Sequence, residues 1–385
     1  MLAGIKKKLL RATQRGDTPA TRRVVSLEPQ GKSRGNVLLS YIIDPFLDLG
    51  RKIDNSHTHF WESWQMAQTF IKHGFSVDVI SYLNRSFIPD KKYDFFISAR
   101  TNLERIAAHL DAGCVKVAHL DTAHWTYNNK AAYERVALLL ERRGVVIGGG
   151  KCVEENWAVE VADMATILGN RFTIDTYAYS GKPIFRIPIS VPCTYPDLPR
   201  KDYKSCRKNF IWFGSSGFVH KGLDLVLEAF QNMPEYTLYV CGPLEQEARF
   251  VEAYGEALFE TPNIKTVGWV DVESKEFIDI ASNCIALVYP TCAEGGGGSV
   301  ISCMHAGIIP VVSYQASVDI DEDRGRILKD CSIEEIASAV TALAESGSEE
   351  LERMARNARE WAVANHTKER FAEEYENFVV KHLLV

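Results

Sequence analysis

Short apolar runs of strand length alternate along most of the chain with stretches whose apolar residues recur at helical spacing. Residues 36–43 read as a strand and 57–73 as a helix, because Phe60, Trp61, Trp64, Met66, Ala67 and Phe70 fall on one helical face before Gly74 stops it. Further strands are expected at 76–82, 93–98, 114–119 and 145–147, with helices near 103–111 and 130–143 between them. Pro183, Pro188, Pro192, Pro196 and Pro199 then forbid a long helix or a central strand, which places a linker around 184–208. Beyond it the alternation restarts. Strands are expected at 209–213, 236–241, 264–267, 284–289 and 309–312, with helices at 221–230, from Glu245, from Ser274 and after Gly298. The last 50 or so residues are helical, with a break at 365–367 where Thr367 caps a new helix.

This order predicts an α/β protein of two Rossmann-like doubly wound domains, each a parallel sheet with helices on both faces. The expected division is a basic tail over 1–35, an N-terminal domain over 36–200, a C-terminal domain over 201–365, and a helix over 366–385 returning to the first domain. Ligands of such sheets sit outside the carboxyl ends of the strands, so a site is expected in the cleft between the domains.

At 385 residues the chain suits two domains, and no apolar run nears the roughly 18 residues of a spanning helix. The net charge of −6 argues against a surface built for nucleic acid. Residues 1–34 nevertheless hold nine basic and two acidic side chains, a net +7 that leaves −13 for the remainder. Leu2, Ile5, Leu9 and Leu10 alternate there with Lys6, Lys7, Lys8 and Arg11, a pattern suited either to the surface of an anionic membrane or to a solvated tail. Nine cysteines, odd in number and without close pairs, suggest reduced thiols, and the start lacks the apolar stretch of a secretory signal. The expected location is cytoplasmic, with peripheral contact at the inner face of a membrane.

Two loops carry the candidate chemistry. Glu294 is followed by Gly295, Gly296, Gly297 and Gly298, after a strand and before a helix. Glycines there expose backbone N–H groups at the positive end of a helix, which suits a diphosphate; the alternative is a flexible loop. The segment lacks both a Gly-Lys-Ser/Thr sequence and the dinucleotide fingerprint. The loop after the first strand of the second half offers Gly214, Ser215, Ser216 and Gly217, with Lys221 at the expected helix start. A lysine in that position opposes the helix dipole and calls for an anionic partner.

Taken together, Gly214, Lys221-Gly222, Gly268, Glu294-Gly295 and the Pro310-Val311-Val312 run after Gly307 resemble the donor half of retaining glycosyltransferases of family four. These belong to the GT-B superfamily and the glycosyl transferases group 1. The resemblance is specific over about 209–313. Ser215 stands where the family usually carries a basic residue, and Ser302 where it usually carries a second glutamate that grips the ribose.

The resemblance implies a hexosyltransferase that moves a sugar from a nucleotide-diphosphate donor to a glycan or lipid-linked acceptor, with retention and without metal or other cofactor. Lys221, Glu294 and His124 would be catalytic, with His119 behind His124. Gly214, Ser215, Ser216, Gly295, Gly296, Gly297, Gly298, Ser299 and Ser302 would bind the donor. The stretch holding His57, His59 and Glu62 falls where the family's acceptor loop lies, although His57 and His59 could equally cap the helix. Departure of the diphosphate would be aided by the glycine amides and the Lys221 ammonium, in the manner of oxyanion donors. The pair Asp319 and Asp321 reads as a solvated turn rather than a metal site. Rival readings are a non-catalytic GT-B binding or scaffold protein, a nucleotide-sugar epimerase, and a phosphorylase, for which no cofactor lysine stands out. The transfer reading needs the glycine turn to face the other lobe across a gap.

Overall fold

The computed structural model describes residues 18–148, 151–195 and 201–384. The first lobe is built on a seven-stranded sheet: β1 (Val24–Leu27), β2 (Asn36–Tyr41), β3 (Ser76–Ser81), β4 (Phe95–Ser98), β5 (Val115–Leu120), β6 (Met164–Ile167) and β7 (Ile184–Arg186). Their order is β1-β3-β2-β4-β5-β6-β7, and every pairing is parallel except β1 on β3. The second lobe holds β8 (Asn209–Phe213), β9 (Thr237–Cys241), β10 (Ile264–Gly268), β11 (Ala286–Tyr289), β12 (Ile309–Ser313) and β13 (Arg326–Leu328) in the order β10-β9-β8-β11-β12-β13. All its pairings are parallel, and counted from β8 the order is that of a doubly wound dinucleotide-binding sheet.

The buried strands are β-branched and aromatic, as a sheet covered on both faces requires: β3 is buried along its whole length and β11 likewise. Helix Thr58–Lys72 lays Met66, Ala67 and Phe70 onto the first sheet. It also packs against helix Lys368–His382, through Trp61 against Phe371 and Phe70 against Tyr375. Trp61 is therefore a packing residue between the two helices. Each large apolar side chain so buried stabilises by roughly 1.5–3 kcal/mol. Thr367 caps the last helix by accepting from the Arg370 amide.

Four expectations need correction. Residues 24–27, assigned to the tail, form the antiparallel edge strand β1; Val24 and Ser26 face out while Val25 and Leu27 are half-buried, a two-residue rhythm too short to stand out beside the flanking charges. Residues 145–147 are not a strand: Ile147 is buried in the core from a loop, and the sheet continues instead with β6 and β7. The stretch expected to be wholly linker contains β7 and the short helix Tyr203–Cys206. The helix after β8 begins at Leu223, so Lys221 lies in the turn before it.

The nine cysteines are free. Among the described residues, no helix is long and apolar enough to cross a membrane. The basic residues before Asp17 lie outside the described residues.

Candidate functional site

In each sheet the strand order reverses beside the first of its parallel strands, at β2/β4 in one lobe and β8/β11 in the other. The loops leaving these four strands carry the polar cluster. Gly222 sets the first of them. Its φ is +72°, and a Cβ there would lie 2.6 Å from the Pro290 carbonyl oxygen, so only glycine lets the chain turn into helix Leu223–Gln231 while pressed on the neighbouring loop. That turn sends the Lys221 side chain back across the sheet end. Its Nζ donates to Glu294 Oε1 at 2.6 Å and to the Tyr289 hydroxyl at 2.5 Å, with 3% of the lysine side chain exposed. The anionic partner that the sequence called for is thus Glu294 of the same lobe.

Glu294 Oε1 also accepts from the hydroxyls of Tyr289 at 2.8 Å and Thr291 at 3.3 Å. Burial alone would raise its pKa. The Lys221 ammonium, with Lys151 and His220 nearby, outweighs burial and holds the carboxyl at about 2. Glu294 is a carboxylate at neutral pH and cannot serve there as a proton donor. His220 is pushed down to about 4 by burial; one ring nitrogen lies 2.6 Å from the Ala293 carbonyl and the other 3.4 Å from Cys292 Sγ.

The glycine run opens helix Gly298–His305, as expected, and it faces the other lobe. No gap separates them at its start. A Cβ on Gly295 would meet the Asp121 carbonyl oxygen at 2.0 Å, and one on Gly296 would lie 3.3 Å from Ile189. Gly297, at φ +60°, presses on Ala316 and Val318. Gly298 and Ser299, by contrast, stay partly accessible at the helix start. The expectation of a gap is corrected for Gly295 and Gly296, onto which the other lobe is closed, while Gly297 packs within its own lobe; a ligand at this turn requires the lobes to part. An open cavity of about 490 Å³ lies elsewhere between the lobes, bordered by Arg51, Lys52, Asn55, Trp269 and Glu273.

The first donor loop is also occupied. Gly214 is glycine because the Trp212 ring and the Lys221 stem cross within 3.2 Å of its Cβ position, and its amide donates to Cys241. The Gly217 and Phe218 amides are taken by the Glu247 carboxylate. Ser215 and Ser216 are half-buried, and Ser215 Oγ accepts from Lys151 Nζ at 3.3 Å. Ser302 donates its hydroxyl proton to the Gly298 carbonyl one turn back.

On the facing lobe the histidines divide. His124 is the N-cap of helix Trp125–Arg143, with Nδ1 2.7 Å from the Thr126 hydroxyl and Nε2 2.9 Å from that of Tyr179. Both nitrogens are engaged within their own lobe. His57 caps helix Thr58–Lys72 by accepting from the His59 amide. His59 Nδ1 sits 2.6 Å from Glu62 Oε2, while Glu62 Oε1 accepts from the Ser190 amide. Glu62 is fully buried, and burial's upward pull on its pKa is outweighed by His59, so it stays charged. It pins His59 rather than reaching into open space.

Several cleft residues, His119 aside, were not singled out from sequence. Tyr41 ends β2, and its buried hydroxyl has no hydrogen-bond partner. His119 Nε2, on a ring 5.0 Å from that of Tyr41, is equally unpartnered, while its Nδ1 meets Thr166. Arg100, just past β4, adopts φ 64°, pairs with Asp121 through two nitrogens and lies over the Tyr82 ring. Such left-handed strain in an arginine clusters at functional sites. Thr173 reaches the Glu294 carbonyl and Asn170 bonds Ser317, both across the lobes. The signal for Tyr41 and Arg100 was their place at strand ends beside a switch point; for Lys151 it was the glycines 148–150 before it.

Asp319 and Asp321 are held by Arg186 and Arg324 respectively. Among the described residues, no group of three or more histidine, cysteine, aspartate or glutamate side chains could hold a metal ion.

Comparison with known proteins adds to this geometry. Residues 197–361 match the family model of the glycosyl transferases group 1. That match covers the glycine run, Lys221 and Glu294, and less than half of the chain. Solved GT-B structures share the two-lobed fold. Sucrose-phosphate synthase (tll1590) from Thermosynechococcus elongatus superposes with a TM-score of 0.61 at 13% identity, covering 90% of this chain and 99% of its own. Anabaena Alr3699/HepE in complex with UDP and glucose gives 0.57 at 10% identity, with coverage of 90% and 99%. A mutant of S. aureus TarM in complex with fondaparinux, alpha-GlcNAc-glycerol and UDP gives 0.50 at 13% identity; 74% of this chain matches, spanning 54% of TarM. The chain thus spans about half the length of that protein. No curated protein matches the sequence. The domain match covers the second lobe, and the likeness to solved structures shows the fold of both.

Proposed function

We propose that the protein transfers a hexose from a nucleotide-diphosphate sugar to a glycan or lipid-linked acceptor, with retention and without a metal ion. The observation that carries this reading is the Lys221–Glu294 pair, set by two switch-point loops at the start of the glycine run and turned toward the other lobe. Opening of the lobes would expose the Gly295 to Gly298 amides. A diphosphate could then settle at the start of helix Gly298–His305, with Lys221 shifting from Glu294 onto a phosphate oxygen. Fixed donors of this kind stabilise charge building on the leaving group by about 3–4 kcal/mol each. Glu294, released, would face the positive charge developing at the anomeric carbon, and Ser302 would offer the ribose an oxygen. His59, Tyr41 and His119 line the facing lobe, where an acceptor hydroxyl would approach; Gly214, Ser215 and Ser216 would border the phosphates.

A specific observation favours a second reading, a non-catalytic GT-B binding protein. The Asp121 backbone fills the place beside Gly295, Glu247 occupies the Gly217 amide, and Ser215 and Ser302 stand at positions the family usually fills with charge. Incubation with a panel of nucleotide sugars, with and without a cell-derived glycan acceptor, separates the two: acceptor-dependent nucleotide release supports transfer, and binding without turnover for every pair supports the alternative. Peripheral membrane contact through the basic start belongs to the same proposal. Removing residues 1–17 should reduce pelleting with anionic liposomes, and unchanged pelleting would end that idea.

A further inference from the structure

The first donor loop carries Ser215 where a cation would be expected beside a diphosphate, yet a cation reaches that place from the other lobe. Lys151 Nζ donates to Ser215 Oγ at 3.3 Å. Its stem lies flat on Gly217, whose φ is +95° and where a Cβ would stand 2.8 Å from the lysine Cγ, so a larger residue there would displace the lysine. The backbone bearing Lys151 is anchored. Asn128 donates to the Lys151 carbonyl at 2.7 Å, and the Asn129 amide group both donates to the Val153 carbonyl and accepts from the Val153 amide. Both asparagines belong to helix Trp125–Arg143, which also grips the second lobe through Arg135 on the Pro290 carbonyl and Arg142 on Asp224 and Glu228. The lysine is thus delivered to the donor loop by the lobe that lacks the loop.

We propose that Lys151 is a second diphosphate-binding cation, supplied across the cleft at Ser215 and engaged only when the lobes close. The inference rests on the glycosyltransferase reading above and adds to it a link between anion binding and closure. The crowding of two ammonium groups agrees with it: the charge of neighbouring Lys221 is the main influence holding Lys151 down, at about 7, although solvent still reaches its side chain. A bound dianion between them would relieve that repulsion.

The test is calorimetric titration of the full chain with UDP, GDP and ADP and with the corresponding monophosphates. Lys151→Ala should weaken a diphosphate by about tenfold or more and the monophosphate by clearly less, since a charge-assisted contact to the outer phosphate is lost. Lys151→Arg should keep most of the affinity. Moving the charge, in Lys151→Ala with Ser215→Lys, should restore diphosphate binding, which a merely structural role for Lys151 would not permit. Equal affinities for wild type and Lys151→Ala, or a loss of equal size for both nucleotide classes that Ser215→Lys fails to rescue, would overturn the proposal while leaving the transferase reading standing. If the wild type binds no diphosphate, the transferase reading fails and this inference fails with it.

Discussion

The position that a Cβ on Gly295 would occupy is 2.0 Å from the carbonyl oxygen of Asp121, so the two lobes touch at a point where only glycine fits. Gly295→Ala must therefore push the lobes apart or distort the turn. The variant should fold, lose closure and bind donor more weakly, which small-angle scattering with and without nucleotide would detect as a loss of compaction. Unchanged scattering and affinity would show that the contact has no part in closure.

Lys221 and Glu294 form a largely buried pair, and removing one member leaves the other uncompensated. Lys221→Ala should cost about 3–5 kcal/mol of stability, more than the double change Lys221→Met with Glu294→Gln, which removes both charges. Urea denaturation measures the difference. Turnover should fall by about a hundredfold to a thousandfold in Lys221→Ala, as for loss of an oxyanion donor.

The same pair sets a pH dependence. The folded-state pKa of Glu294, about 2, lies below the ordinary 4.5, so its contribution to stability is fully present above pH 4.5 and is lost as pH falls toward 2. Glu294→Gln should flatten the acid limb of stability against pH across that window. An unaltered limb would mean that other carboxylates carry it.

Lys151 predicts a second pH dependence, in binding. Facing it are Lys221 and Arg100, which lower its pKa, and Glu294, which raises it; the lysine's charge in turn acts on Glu247. With its pKa near 7, the free lysine loses its proton above that pH, so diphosphate binding must then be accompanied by proton uptake. Affinity should fall as pH rises above 7 in the wild type and fall less steeply in Lys151→Ala, as titrations in buffers of different ionisation heat would show.

Tyr41 tests the facing lobe. Its hydroxyl is buried and unpartnered, so Tyr41→Phe should stabilise the free protein by about 1 kcal/mol. Where that hydroxyl meets substrate, the same change should raise KM for the acceptor. A destabilised variant would mean that the hydroxyl is satisfied in solution.

The sheets were legible because most of their strands are dense apolar runs bounded by turns or helices. Val24–Leu27, Met164–Ile167, Ile184–Arg186 and Arg326–Leu328 were not, since three or four residues carry too little pattern. Val145 to Ile147 misled for the opposite reason: an apolar run records burial, and here Ile147 is buried from a loop. In the site, Lys221 and Glu294 were visible beside glycines, Lys221 at an expected helix start and Glu294 in a loop, and the structure brings them into contact. Lys151 and Arg100 had local signals in neighbouring glycines and a strand end, but their contacts with Ser215 and Asp121 join residues far apart in sequence, which no local pattern encodes. His124 stands after a strand, and the same place makes it a helix cap: Nδ1 meets Thr126 in the cap while Nε2 meets the Tyr179 hydroxyl.

Sugar transfer from a nucleotide-diphosphate donor requires the lobes to part where Gly295 meets Asp121. The most direct measurement is nucleotide release from a panel of nucleotide sugars by the wild type and Lys221→Ala, in the presence of a glycan acceptor. Acceptor-dependent release by the wild type, reduced at least a hundredfold in Lys221→Ala, is the predicted result. No release above the enzyme-free rate from any donor, or equal release by both proteins, would contradict it.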